Sequence, residues 1–187
     1  MVTEGTTTVW WHLSAEAVSA LVATLAAVWA IAAQIREWRR SRIAIAFEIL
    51  ARLDDRYDAL ACRAERKKAA KHLLEMDPTD HIGDGAVISI LNFFEGVAYP
   101  WKKELIDTEA VWHSFGAWLL PYYRAAESIR LRERASDPDA YTDLDELFVA
   151  VKDFKKVKYG ELSVEKLLSR AAIDGFLMDE SRLPDRQ

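Results

Sequence analysis

The stretch LSAEAVSALVATLAAVWAIAAQI, Leu13 to Ile35, decides how this chain is organised. It carries one charged residue, Glu16, and Arg36 follows it at once. At about 1.5 Å per residue a helix of this length measures roughly 34 Å, close to the thickness of the hydrocarbon core of a bilayer. The stretch therefore predicts a single transmembrane helix over residues 13–35, preceded by an extracytoplasmic tail over residues 1–12.

The residues on either side of this stretch suit the two membrane interfaces. Tryptophans favour the headgroup region, and arginines accumulate on the cytoplasmic side. The predicted interface residues are Trp10, Trp11, Arg36, Trp38, Arg39, Arg40 and Arg42. Because no Lys or Arg precedes Arg36, we expect the N-terminus outside and everything after Arg36 in the cytoplasm.

Three other interpretations of the stretch stay open. A cleaved signal peptide normally has basic residues before its apolar region, and here they follow it. A buried core helix is compatible with the abundance of alanine, including the core of a soluble oligomer. A helix lying flat in the interface needs a strong polar face, and between Val18 and Ala33 the polar residues are Ser19 and Thr24.

Small residues recur every four positions along the predicted span, at Ala15, Ser19, Ala23 and Ala27. Such spacing lets transmembrane backbones approach closely, which favours helix–helix association. An alanine-rich span also shows this spacing by chance. Self-association into a homo-oligomer is therefore one hypothesis.

The remaining chain has the composition of one helical domain. The sequence of 187 residues is 51% hydrophobic and 29% charged, with a net charge of −5, which does not favour nucleic acid. Its single cysteine, Cys62, forms no intramolecular disulfide, in agreement with a reducing compartment. Apolar residues at three- and four-residue steps predict an all-α fold, with the first helix continuing to about Leu53. About five helices are expected in a cytosolic domain over residues 36–178, followed by a flexible C-terminus over residues 179–187.

A basic group lies on the second predicted helix, residues 56–75. Arg63, Lys67 and Lys71 share one face, and Arg66 and Lys68 lie beside them. Such a face is either solvated or in contact with anionic headgroups.

Two further features are candidates for function. Asn92 and Glu95 are three residues apart on a predicted helix, which suits a structural hydrogen-bonding pair or, in the enzyme alternative, a site assembled around Glu95. Aromatic residues on the helix that Asp107 or Thr108 caps predict a partner surface containing Trp112, Trp118 and Tyr122.

The sequence offers no catalytic, cofactor-binding or metal-binding constellation. Its four histidines do not pair at a metal-ligand spacing; Glu109 and His113 are four apart, but two ligands leave a site incomplete. Glycine-rich phosphate loops and nucleophile elbows are missing from the sequence. We therefore expect no cofactor and no metal.

The run through Ser41-Arg42, Leu91-Asn92-Phe93-Phe94-Glu95-Gly96-Val97, Leu105-Ile106-Asp107 and Phe115-Gly116-Ala117-Trp118 resembles a bacterial family catalogued only as a domain of unknown function. The resemblance covers about Ser41 to Tyr123, with Asn-Phe-Phe-Glu at its core. It implies a short membrane-anchored helical domain in the inner (cytoplasmic) membrane of a bacterium, and it supplies no activity. The sequence thus predicts a membrane-tethered interaction or assembly module, with the bilayer and a protein or second copy as partners.

Overall fold

The computed structural model describes residues 15–75 and 84–184, and within these ranges every regular element is an α-helix. The predicted all-α fold is confirmed. The helices are α1 (Ala15–Asp58), α2 (Leu60–Glu75), α3 (Asp84–Lys102), α4 (Thr108–Ala125), α5 (Glu127–Ser136), α6 (Thr142–Tyr159), α7 (Glu161–Leu167) and α8 (Arg170–Ser181).

The prediction of about five helices after the span is too low, because seven helices follow α1 in the described part of the chain. The extra breaks are short. Helices α6 and α7 meet at Gly160, whose φ of 85° L-residues rarely adopt. Ser169 separates α7 from α8 and accepts a hydrogen bond from the backbone N–H of Ala172 at 3.3 Å.

The chain divides into two units between Ala44 and Ile45, inside helix α1. The sequence predicted a boundary at Arg36, where apolar residues give way to basic ones. Helix α1 also continues past the predicted Leu53 and ends at Asp58.

Helices α3 and α4 supply most of the core of the unit that begins at Ile45. Their buried faces follow helical spacing, because residues three and four apart share one side of a helix. From α3 the buried residues include Val87, Ile90, Leu91, Phe94 and Val97; from α4 they include Val111, Phe115, Leu119 and Tyr122. Tyr57, near the end of α1, packs its ring against Phe93 at 4.9 Å and Trp118 at 5.4 Å between centroids.

Asp107 caps α4, as predicted. Its side chain accepts a hydrogen bond from the backbone N–H of Ala110 at 2.7 Å. This bond satisfies one of the free N–H groups in the first turn of the helix.

The predicted flexible C-terminus does not begin at Asp179. Helix α8 continues to Ser181, and Glu180 is 5% exposed. The prediction was wrong here because a run of charged residues looks solvated in sequence, whereas Glu180 has a buried cationic partner.

Candidate membrane span and partner surface

The apolar part of α1 is exposed along its length. An 18-residue stretch of this helix has a mean hydropathy of 2.0, and none of it is buried. Its large apolar side chains, including Leu21, Leu25, Trp29 and Ile31, are each about 60% exposed or more. A helix in the core of a monomer would be buried, so this helix has the length and composition to cross a membrane, by those two properties alone.

Two arginines of the predicted interface lie over tryptophan rings. The guanidinium carbon of Arg36 is 5.4 Å from the ring centroid of Trp29, and that of Arg42 is 5.0 Å from the ring centroid of Trp38. Arg40 is exposed. Trp10, Trp11 and the side chain of Arg39 lie outside the described residues.

The predicted association face lies on exposed helix. Ser19, Ala23 and Ala27 are exposed in α1. Ala15 is the first residue of α1, and its side chain lies outside the described set.

Trp118 lines an open groove of about 450 Å³ in the unit that begins at Ile45. Helices α1 and α4 form its walls; the lining residues are Phe47, Leu50, Ala51, Asp54, His113, Ser114 and Trp118. Phe47 is 75% exposed beside it. We call this the Trp118 groove, and it offers apolar contact with a polar rim.

Trp112 lies away from this groove, on another side of α4. Its ring is 5.9 Å from the ring of Tyr159 and 4.6 Å from the Lys155 ammonium. The ring also covers Gly116, where an added Cβ would lie 2.2 Å from a ring carbon.

Tyr122 is fully buried, so the prediction that it forms part of a partner surface is wrong. Its hydroxyl lies 3.2 Å from both the backbone oxygen of Arg66 and Oε2 of Glu180. Burial, first of all, raises the pKa of Tyr122 well above its ordinary value, and the nearby Glu180 carboxylate raises it further. Tyr122 therefore acts as a neutral hydrogen-bond donor inside the domain.

Arg66 and Glu180 form a buried, two-bonded ion pair. Nε of Arg66 donates to Oε2 of Glu180 at 2.7 Å, and Nη2 donates to Oε1 at 2.6 Å. Burial alone would lower the pKa of Arg66, but the hydrogen bonds to Glu180 outweigh it and raise that pKa. Arg66 consequently belongs to the core and not to a headgroup-binding face; its sequence neighbours gave no sign of this, because Glu180 is 114 residues away.

Tyr57 lies against the same arginine. The guanidinium carbon of Arg66 is 4.1 Å from the centre of the Tyr57 ring. The Tyr57 hydroxyl is buried and, within the described part of the chain, has no hydrogen-bond partner.

Glu95 caps helix α6 from a neighbouring helix. Its Oε2 accepts a hydrogen bond from the backbone N–H of Leu144 at 2.8 Å, in the first turn of α6. Burial raises the pKa of Glu95, partly opposed by that hydrogen bond, and the Asp143 carboxylate raises it further. Asp143 is itself paired with Lys102 at 2.6 Å.

Asn92 is exposed and does not share this environment. The arrangement gives Glu95 a structural role in closing α6. It does not bring Asn92 and Glu95 into one pocket, which the enzyme alternative requires.

The described histidines serve in ion pairs. Nε2 of His72 lies 2.9 Å from Asp84, whose other oxygen pairs with Arg132. His113 lies 3.6 Å from Glu109, which also pairs with Lys158. Within residues 15–75 and 84–184, no three acidic, His or Cys side chains come together as a metal site.

These features define a class: an all-α domain with its own core, joined to a long helix whose apolar residues are exposed. Residues 17–150, well over half of the chain, match a family described as Domain of unknown function (DUF4760). The chain belongs to this family, which confirms the resemblance and extends it beyond residues 41–123. No curated protein and no solved structure matches the chain.

Proposed function

We propose that this protein is a single-pass, membrane-tethered helical module that binds a protein partner through the Trp118 groove. The observation that carries the proposal is the apolar part of α1, which is exposed over its whole length. Exposed apolar surface of that size is unfavourable in water and favourable in lipid.

Membrane attachment is tested by carbonate extraction and vesicle flotation of the full-length chain. We expect the protein to stay in the membrane fraction and to float with vesicles, and a variant lacking residues 1–35 to do neither. A full-length chain that carbonate releases as a soluble oligomer would instead support the alternative in which this helix packs in the oligomer core.

The proposed orientation places the N-terminus outside and the helical domain in the cytoplasm of a bacterium, at its inner membrane. The arginines that follow the apolar stretch support it. Fusion of a reporter that is active only in the cytoplasm to the C-terminus tests it. An inactive C-terminal reporter on a membrane-inserted chain would reverse the orientation.

The Trp118 groove is the proposed partner surface because Phe47 and Trp118 present aromatic area within a polar rim. Aromatic anchors of this kind contribute a large share of binding energy at protein interfaces. Crosslinking in membranes followed by isolation of the chain should lose its partner band in Phe47→Ala and Trp118→Ala. Val157→Ala, which removes an 88% exposed side chain from α6, is the matched control and should keep it.

Self-association through α1 is the second form of the proposal, in which the partner is another copy. Ser19, Ala23 and Ala27 are small and exposed on α1, and bulky side chains there would hold two such helices apart. Ala23→Ile and Ala27→Ile should reduce crosslinked dimer in vesicles, while Val22→Ile should not.

A further inference from the structure

Helix α8 lies in a groove formed by α2 and α4. On the α2 side the groove floor is Ala69 and Ala70, both fully buried, so that α8 approaches α2 closely. On the α4 side the ring of Tyr122 meets the ring of Phe176 edge-on at 5.1 Å. Helix α8 contributes Ile173, Leu177 and Glu180 as buried residues. We call this the α2–α4 groove.

The groove selects a carboxylate. Arg66 is 4% exposed, and a buried guanidinium without a counter-charge is strongly unfavourable. Glu180 satisfies two of its nitrogens, and the Tyr122 hydroxyl lies beside the same carboxylate. An apolar helix without an acidic residue at this position would leave Arg66 unpaired.

The fit of α8 is incomplete away from this ion pair. An open space of about 430 Å³ lies where α8 meets the end of α2 and the junction of α4 and α5. Leu73, Leu74, Leu168, Ile173 and Leu177 are among its walls, and exposed ion pairs, Arg124–Glu127 and Arg170–Asp174, lie near it. Arg66 and Tyr122 fall inside the range matched by the family model, whereas Glu180 falls beyond residue 150.

We propose that the α2–α4 groove is a docking site for an amphipathic helix that carries a carboxylate in register with Arg66, and that α8 occupies this site as an exchangeable internal ligand. A partner helix of the same chemistry competes with α8 for Arg66 and the small residues of α2. This site goes beyond the proposed function and depends on neither membrane insertion nor the Trp118 groove.

The test uses the purified full-length chain in detergent and a fluorescent peptide with the sequence of residues 169–184. Because α8 covers the groove, the wild-type chain binds the peptide only in the fraction of molecules in which α8 is undocked. Glu180→Gln weakens the hold of α8 on Arg66, and we expect this variant to bind the peptide at least tenfold more tightly than the wild type. A peptide with the same Glu180→Gln change should bind the variant at least tenfold more weakly.

Asp179→Asn is the matched control, because it removes one charge from the adjacent, exposed position of the same helix. It should bind the peptide as the wild type does. Equal binding by the Glu180→Gln and Asp179→Asn chains, or equal binding of the two peptides, overturns the proposal.

If the Glu180→Gln chain fails to fold, amide hydrogen exchange on the wild type decides. An exchangeable α8 opens without global unfolding, so its amides should exchange at least tenfold faster than those of α4. Exchange of α8 and α4 at the same rate shows that α8 leaves only when the domain unfolds, and the proposal then fails.

Discussion

Arg66 and Glu180 are the residues on which removal of one side chain should have the largest effect. Each is about 5% exposed, and each neutralises the other. The net contribution of a buried ion pair is small, because desolvation offsets the attraction, but loss of one partner leaves an uncompensated charge.

Replacement of one member of this pair tests that asymmetry. Arg66→Met should lower the free energy of unfolding by about 3–5 kcal/mol, and the double variant Arg66→Met, Glu180→Met should recover most of the loss. Urea denaturation of the chain in detergent measures both.

The exposed pair Glu48–Arg52 provides the control. Its nitrogen–oxygen distance is 2.5 Å, yet Arg52 is largely solvated. Arg52→Met should change the unfolding free energy by less than about 1 kcal/mol. A similar loss from Arg52→Met and Arg66→Met would show that burial is not the cause.

Glu95 makes a pH-dependent contribution. Since the pKa of Glu95 is raised in the folded chain, its contribution is fully present below the ordinary carboxyl range and is lost as the pH rises through the folded pKa. Stability of the wild type minus that of Glu95→Gln should therefore decrease from pH 4 towards neutrality, about the interval in which a raised carboxyl titrates.

Glu95→Ala separates the cap from the charge. It removes the acceptor for Leu144 and should cost about 1 kcal/mol at acidic pH, whereas glutamine keeps an acceptor oxygen. Thermal unfolding over the pH series measures both effects. A pH-independent difference between wild type and Glu95→Gln would contradict the direction of the pKa shift.

At the scale of the helices, two glycines that look alike in sequence have opposite requirements. Gly116 in α4 lies under the Trp112 ring, and Gly96 in α3 has open space where a Cβ would be. Gly116→Ala must displace the ring from Tyr159 and Lys155 and should destabilise the domain by about 1–3 kcal/mol.

Gly96→Ala should stabilise by up to about 1 kcal/mol, because alanine loses less backbone entropy in a helix than glycine does. Circular dichroism melting of the two variants gives the sign of each change. Destabilisation by both substitutions would show that the space around Gly96 is not free in solution.

At the scale of the whole chain, the span prediction makes one sharp statement. Leu25 lies in the apolar part of α1 and is 61% exposed. An arginine in the middle of a transmembrane helix costs about 2.5–3.5 kcal/mol for insertion, so Leu25→Arg should shift the chain out of the carbonate-resistant fraction.

Val157→Arg is the matched change, because it puts the same charge on another exposed apolar position, in α6. It should leave membrane association unchanged. Equal loss of association in both variants would mean that the apolar part of α1 has no special role.

The sequence by itself determined the features that depend on neighbours along the chain. Helical spacing of apolar residues predicted an all-α fold, because one turn of a helix spans three to four residues. The Asp107 cap and the long N-terminal helix were predictable for the same reason. Hydropathy also identified the exposed part of α1, since it depends only on composition.

Only the tertiary structure decided which residues become buried partners. Nothing in the sequence near Arg66 distinguishes it from Lys67 and Lys68, yet folding brings it to Glu180, a carboxylate that belongs to the segment predicted to be flexible. Tyr122 and Trp118 share one aromatic stripe, but one is sealed inside and the other lines a groove. Such choices depend on how separate helices pack, and helix packing joins residues that are far apart in the chain.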